Sequence, residues 1–134
     1  MTGKRVVALV AALAAFLVVS LPVMAEEQIF RLERTKLAAE VVEREPVGVA
    51  ETFSATQERV YAFIEAREVQ ADTTVNFVWY RNDQEVAAVP LPLRKSPRWR
   101  TFSSVTIEGR SGDWRVELRD EQGGILWKAD FRVE

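Results

Sequence analysis

An all-β chain, folded as an antiparallel immunoglobulin-like β-sandwich of seven to eight strands behind an N-terminal signal peptide, is what three features of the sequence predict. Apolar and polar residues alternate at period two in segment after segment, the mark of strands with one buried face. Turn-forming residues interrupt those segments at short intervals. No long helical period follows the leader, which leaves two packed sheets as the economical architecture. The chain has no cysteine, so the Cys…Trp…Cys hallmark of many such domains is absent and stability must come from packing and hydrogen bonds.

The leader comes first. Lys4 and Arg5 precede an uncharged run from Val6 to Ala25, which ends in Pro22 and the small-residue site Val23-Met24-Ala25 ahead of Glu26-Glu27. This is the layout of a bacterial secretory signal peptide, residues 1–25, cut after Ala25. The expected location is therefore periplasmic or secreted. The alternative is an N-terminal anchor in the inner membrane, since about twenty apolar residues just cross a bilayer, although Ser20 and Pro22 weaken the end of the run. Membrane contact is expected only through an uncut leader. Without cysteine there is no thioether lipid, and Lys4-Arg5 is not a twin-arginine pair.

Residues 26–36 are charged and read as a spacer or short helix, and residues 37–134 as the sandwich domain. Leu37 to Val42 is the first expected strand, stopped by Glu43-Arg44-Glu45-Pro46, and Val49 to Phe53 a short extended piece. Arg59 to Arg67 sets Val60, Ala62, Ile64 and Ala66 on one face and Tyr61, Phe63 and Glu65 on the other. Thr74 to Arg81 carries Val75, Phe77 and Trp79 on one side, and the turn Arg81-Asn82-Asp83-Gln84 leads into Glu85 to Leu91 as a hairpin. Pro90 and Pro92 place that strand at an edge. Asp113 to Arg119 points Trp114, Val116 and Leu118 inward. After the turn Asp120-Glu121-Gln122-Gly123-Gly124, a returning strand shows Ile125, Trp127, Ala129, Phe131 and Val133 as its apolar face.

Arg44-Glu45-Pro46, Phe53-Ser54, Val60-Tyr61, Trp79-Tyr80, Pro97-Arg98-Trp99-Arg100-Thr101-Phe102-Ser103-Ser104 and Gly112-Asp113-Trp114-Arg115-Val116-Glu117 together resemble the bacterial domain of unknown function 2914 family. The resemblance extends over nearly all of the chain after Lys36. It departs from the family in the Arg-Asn-Asp-Gln turn, where a glycine is expected after the Asp, and in Phe102, where tryptophan is frequent. It implies a non-enzymatic, often envelope-associated β-domain, and it transfers no catalytic residue.

The chain has no histidine either, so the side chains best suited to general-base, thiol and transition-metal chemistry near neutral pH are missing, and no cofactor is expected. Of the 18 Lys+Arg and 20 Asp+Glu, only two cations lie in the leader, so a chain cut after Ala25 has formal charge −4. An acidic domain of this kind is not expected to bind nucleic acid. Glu65, Glu68, Asp72, Asp83, Glu117 and Asp120 leave a glycoside hydrolase with paired carboxylates as a remote alternative. Asp120-Glu121-Gln122-Gly123 faintly suggests a calcium loop but lacks its repeated ligands, and a plain hairpin turn is expected.

The sharpest positive feature is Arg94-Lys95-Ser96-Pro97-Arg98-Trp99-Arg100, which gathers cations around a tryptophan in a net-acidic protein. Guanidinium groups forking onto oxyanions would suit a phosphate, a uronic acid or an acidic partner. The competing reading is an edge strand guarded by charge, with Trp99 in the core. A regular strand sets Trp99, Thr101, Ser103, Val105 and Ile107 on one face and Phe102 beside Arg98 and Arg100 on the other, and a bulge near Ser103-Ser104 would be needed to bury both aromatics. The candidate ligand-binding residues are Tyr80, Arg94, Lys95, Arg98, Trp99, Arg100 and Phe102. Two functions compete for them: a non-catalytic module binding an unknown protein or envelope polymer, and a carbohydrate-binding module stacking sugars on Tyr80, Trp99 and Phe102.

Overall fold

A computed structural model describes residues 28–134; the expected leader lies outside the described residues. Nine strands follow in order: β1 Arg31–Val42, β2 Glu45–Val49, β3 Thr52–Phe53, β4 Arg59–Val69, β5 Thr73–Arg81, β6 Gln84–Leu93, β7 Ser96–Thr106, β8 Gly112–Arg119 and β9 Ile125–Val133. They form two sheets, β2-β1-β4-β7 and β3-β9-β8-β5-β6. Neighbours are antiparallel except β3 and β9, where Thr52 lies opposite Arg132 and Phe53 opposite Val133 in a parallel pair. The predicted immunoglobulin-like sandwich is the observed fold, with nine strands, the short β2 and β3 among them, where seven to eight were expected.

The inner faces follow the period-two reading. Val60, Ala62, Ile64 and Ala66 of β4 meet Val75, Phe77, Trp79, Trp114, Val116 and Leu118 across the sandwich. Phe131 is the aromatic hub, with ring centroids 5.9 Å from Phe53, 6.0 Å from Trp79 and 5.9 Å from Trp114. Trp79 Nε1 donates to Ser103 Oγ at 3.0 Å, one buried polar link between the sheets. The apolar face of β9 is buried only toward its C-terminal end: Phe131 and Val133 are covered, Trp127 is half-buried, and Ile125 stands exposed.

Three local readings are corrected. Strand β1 starts at Arg31, inside the stretch read as spacer or short helix, because β4 pairs with it from Arg67 opposite Arg31 to Tyr61 opposite Ala38. Strand β1 ends at Val42 as expected, but only Glu43-Arg44 form the break, while Glu45 and Pro46 already belong to β2, an edge strand, where a missing N–H is tolerated. Strand β7 carries no bulge, since its pairing with β4 runs in step from Thr106 to Arg98. Trp99 therefore faces the interior, and Phe102 projects from the opposite face.

Two-residue hairpin turns close β1–β2 and β5–β6 with non-glycine residues in the left-handed region: Glu43 and Arg44 at φ 49° and 61°, Asn82 and Asp83 at φ 49° and 63°. Asn and Asp tolerate that region because their short side chains bond locally, which explains how the second turn works without glycine. Gly48 in β2 has φ +73°, and a Cβ there would stand 2.9 Å from Ala39 Cβ. Gly48→Ala is expected to destabilise the protein by about 1–2 kcal/mol, read as a lower urea midpoint with an unchanged slope.

Candidate binding surface

The outer face of the β2-β1-β4-β7 sheet is built by the residues that alternate away from the core. On β4 these are Tyr61, Phe63, Glu65 and Arg67, and opposite them on β7 stand Ser104, Phe102, Arg100 and Arg98. Strand β1 supplies Lys36 opposite Phe63 and Arg34 opposite Glu65. An outward strand face normally meets water, yet Phe63 is 0% exposed and Glu65 only 2%.

The β1–β2 hairpin accounts for that burial. Pairing between β1 and β4 stops at Ala38, and the hairpin tip then returns over the outer face. Glu45, next to the tip, bonds Arg34 Nη1 at 2.8 Å and Arg34 Nη2 at 3.1 Å, and accepts from Arg100 Nη1 at 2.6 Å. The carbonyl of Arg44 accepts from the same Arg100 nitrogen at 3.2 Å. Beneath this strap the Arg34 guanidinium lies 5.1 Å from the Phe63 ring centroid.

Two carboxylates thus organise four arginines. Glu65 accepts from Arg34 and Arg98 at 3.0 Å each and from Arg67 at 3.1 Å. Burial alone would push its carboxyl up, but the Arg34 and Arg98 hydrogen bonds outweigh it and hold the group below its ordinary value. Glu45 is held down to about 2, chiefly by the Arg34 hydrogen bond and further by Arg100. A depressed carboxylate stabilises the fold in full above its ordinary value of 4.5 and loses that contribution as pH falls toward 2. The urea midpoint is expected to drop across that window, and Glu45→Gln is expected to drop less steeply when both are measured by fluorescence.

Beside the strap runs a groove of about 430 Å³ lined by Arg44, Phe63, Arg98, Trp99, Arg100, Thr101 and Phe102. Five consecutive residues of β7 in its wall mean that the edge of the sheet forms one side. Phe102 is 42% exposed and packs against Tyr61 with ring centroids 5.7 Å apart. The surface offers cations, an aromatic pair and an open strand edge.

The sequence-derived candidates divide over several places. Arg98, Arg100 and Phe102 come together on this face. Arg94 and Lys95 form the turn between β6 and β7, where Asp72 meets Arg94 Nη1 at 3.4 Å and accepts from the Lys95 backbone N–H at 2.8 Å. Trp99 packs against the core from the inward side, and its buried Nε1 has no hydrogen-bond partner among the described residues. Tyr80 belongs to the other sheet: Arg115 lies 4.3 Å from its ring centroid, and Arg119 donates to its hydroxyl at 3.0 Å. Trp99 and Phe102 both line the groove at the β7 edge, from opposite faces of the strand, and Tyr80 stands on the other sheet, so the three form no common stacking platform. The sequence reading missed Arg34, Arg44, Glu45 and Glu65 as members of the surface. The available signal was Glu65 on the same strand face as Tyr61 and Phe63, an acid where an apolar cover was forming.

The carboxylates considered for hydrolysis are also dispersed. Glu65 and Glu117 are both buried, but on the outer faces of different sheets, and Glu117 is bound by Arg119 at 3.2 Å. Asp120 accepts from the backbone N–H of Gln122 at 3.0 Å and of Gly124 at 2.7 Å, which makes it the organiser of a turn. Among the described residues no group of three or more His, Cys, Asp or Glu could hold a metal ion.

Comparison with known families places part of this geometry. Residues 72–133 match DUF2914, a protein family of unknown function. The resemblance read from the sequence holds over this stretch, and Trp79-Tyr80, the Pro97 to Ser104 segment and the Gly112 to Glu117 segment fall within it. The DUF2914 match contains Arg98, Arg100 and Phe102, while Arg34, Glu45 and Glu65 precede it. Among solved structures the chain is similar to a β-glucosidase from Listeria innocua in complex with glucose, with TM-score 0.48 at 7% identity over 78% of this chain and 15% of that one. It is also similar to a Niemann-Pick type C2 protein from Japanese carpenter ant, with TM-score 0.42 at 12% identity over 80% of this chain and 94% of that one. No curated protein matches the chain.

Proposed function

We propose that the protein is an exported, non-catalytic β-sandwich module that binds a protein or an envelope component through the outer face of the β2-β1-β4-β7 sheet. One observation carries this reading: among the described residues Arg34, Arg67, Arg98 and Arg100 share only Glu45 and Glu65 there, an excess of positive charge in a chain of net charge −2. Guanidinium groups that share a carboxylate keep further N–H donors for an external oxyanion. Export is supported by the layout of residues 1–25, and a non-catalytic role by the absence of histidine and cysteine. Stacking of sugars on Tyr80, Trp99 and Phe102 has less support, since the three do not share a surface.

The test is retention of purified protein on beads bearing a polyuronate or a polyglutamate, against neutral dextran beads. Retention on an anionic bead that falls as salt rises from low ionic strength to about 0.1 M, where exposed charges are screened within about 10 Å, supports the proposal. The doubly substituted R98Q/R100Q protein should lose most of it while retaining a cooperative melt. Equal retention on all beads, or salt-insensitive retention by the variant, would remove the proposal.

A further inference from the structure

The carboxylate of Glu45 occupies the position an acidic ligand would take. It reaches the outer face from the β1–β2 hairpin, and Arg34, Arg98 and Arg100 converge on it at 2.8, 3.8 and 2.6 Å. The backbone just before it contributes as well, since Arg100 Nη1 also bonds the Arg44 carbonyl. The carbonyl of a turn residue, Arg44, and the carboxylate of Glu45, the first residue of β2, are thus already docked there, and both belong to the chain itself.

The strap that delivers it is secured by polar contacts on this side. Val42, Val47 and Val49 of the hairpin are 48%, 47% and 56% exposed, so little apolar area holds it down. The Glu45 side chain is 46% exposed, and ion pairs at such exposure are weak and exchangeable. The turn also keeps Glu43 and Arg44 in the left-handed region, which neither residue favours. The groove continues from Arg44 along β7, an edge strand whose Arg98 N–H and carbonyl are engaged by Ser96 Oγ at 3.1 and 2.6 Å, so that strand addition is available to it from Arg100 onward.

We infer that the surface recognises an extended acidic peptide segment of a partner protein and that Glu45 is its built-in competitor, displaced when the segment docks along β7 and its carboxylate takes the Arg98–Arg100 position. The inference rests on the binding surface proposed above and narrows its ligand. Charge complementarity favours an acidic segment, and the docked Arg44-Glu45 backbone favours a peptide over a polysaccharide. Freeing the arginines removes a competing intramolecular contact, so Glu45→Gln should tighten binding.

The experiment measures binding of a labelled peptide of alternating glutamate and valine to the wild-type protein, to Glu45→Gln and to R98Q/R100Q, by fluorescence anisotropy at low salt. A matched glutamine–valine peptide and a soluble polyuronate serve as comparison probes. The expected result is that Glu45→Gln binds the acidic peptide roughly fivefold or more tightly than wild type, that R98Q/R100Q loses it, and that the glutamine peptide does not bind. Glu40→Gln, a nearby hairpin carboxylate that contacts none of these arginines, should match wild type. Should Glu45→Gln fail to melt cooperatively, Glu45→Asp, with a shorter reach, takes its place with the same direction of effect. Equal affinity of wild type and Glu45→Gln for the peptide overturns the competitor role. Binding of the polyuronate without the peptide overturns the peptide assignment while leaving the anionic surface intact, and binding of neither probe by any variant removes the surface itself.

Discussion

Trp79→Ala should lower the stability of the protein by about 3–5 kcal/mol, the range for truncating a fully buried large aromatic. Trp79 is 0% exposed, packs edge-on against Phe131 and ties its indole N–H to Ser103 across the sandwich. Its removal opens a cavity between the sheets and leaves the Ser103 hydroxyl without its indole partner. Ser103→Ala isolates the polar part, because the indole N–H is then buried without an acceptor, and about 1–3 kcal/mol is expected. Urea unfolding of both variants measures this. A Trp79→Ala loss no larger than that of Ser103→Ala would contradict the packing described for the centre of the sandwich.

The second large effect is expected on the outer face. Glu65→Ala strands Arg34, Arg67 and Arg98 around a site that a carboxylate had neutralised, and breaking a buried ion pair from one side costs about 3–5 kcal/mol. These arginine side chains are 31%, 38% and 41% exposed, so they can turn partly to water, and about 2–3 kcal/mol is the expected loss. Removing the cations together with the acid should recover part of it: a protein carrying Glu65→Ala with Arg34→Leu and Arg98→Leu is expected to be more stable than Glu65→Ala alone. If Glu65→Ala melts like wild type, the carboxylate does not organise the arginines.

Strands β4, β5, β8 and β9 were legible because their core-facing residues alternate with residues of another character, and this writes period two into the sequence even where, as at Phe63 and Glu65 of β4, the second face is also buried. Tryptophans 79 and 114 fell on the correct face for that reason. Strand β1 was harder to read at its start, since Arg34 and Lys36 make residues 31–36 look like solvent-facing spacer. The partner that makes Arg34 acceptable in a strand is Glu65, 31 residues away in sequence. The β1–β2 turn was obscure for a related reason: Glu43 and Arg44 are not turn formers, and their conformation is accompanied by ion pairs that only the folded sheet supplies.

The candidate surface was half legible. Arg98, Arg100 and Phe102 follow from alternation along one strand, and their clustering is local. Trp99, placed by the same alternation on the inward face, joins them only at the groove along the strand edge. Arg94 and Lys95 were drawn in by charge alone, whereas the structure ties both to Asp72. The hairpin strap, Glu45 and the buried Glu65 depend on contacts between distant segments, which no local pattern records.

Backbone amide shift mapping by NMR during titration with the alternating glutamate–valine peptide tests the central claim most directly. The predicted result is a continuous set of shifts along β7 from Arg98 to Phe102 and through the β1–β2 hairpin around Glu45, with Tyr80, Arg115 and Arg119 on the other sheet unmoved. Shifts centred on Tyr80 and Arg115 with β7 silent, or no shifts at any residue at low salt, would contradict it.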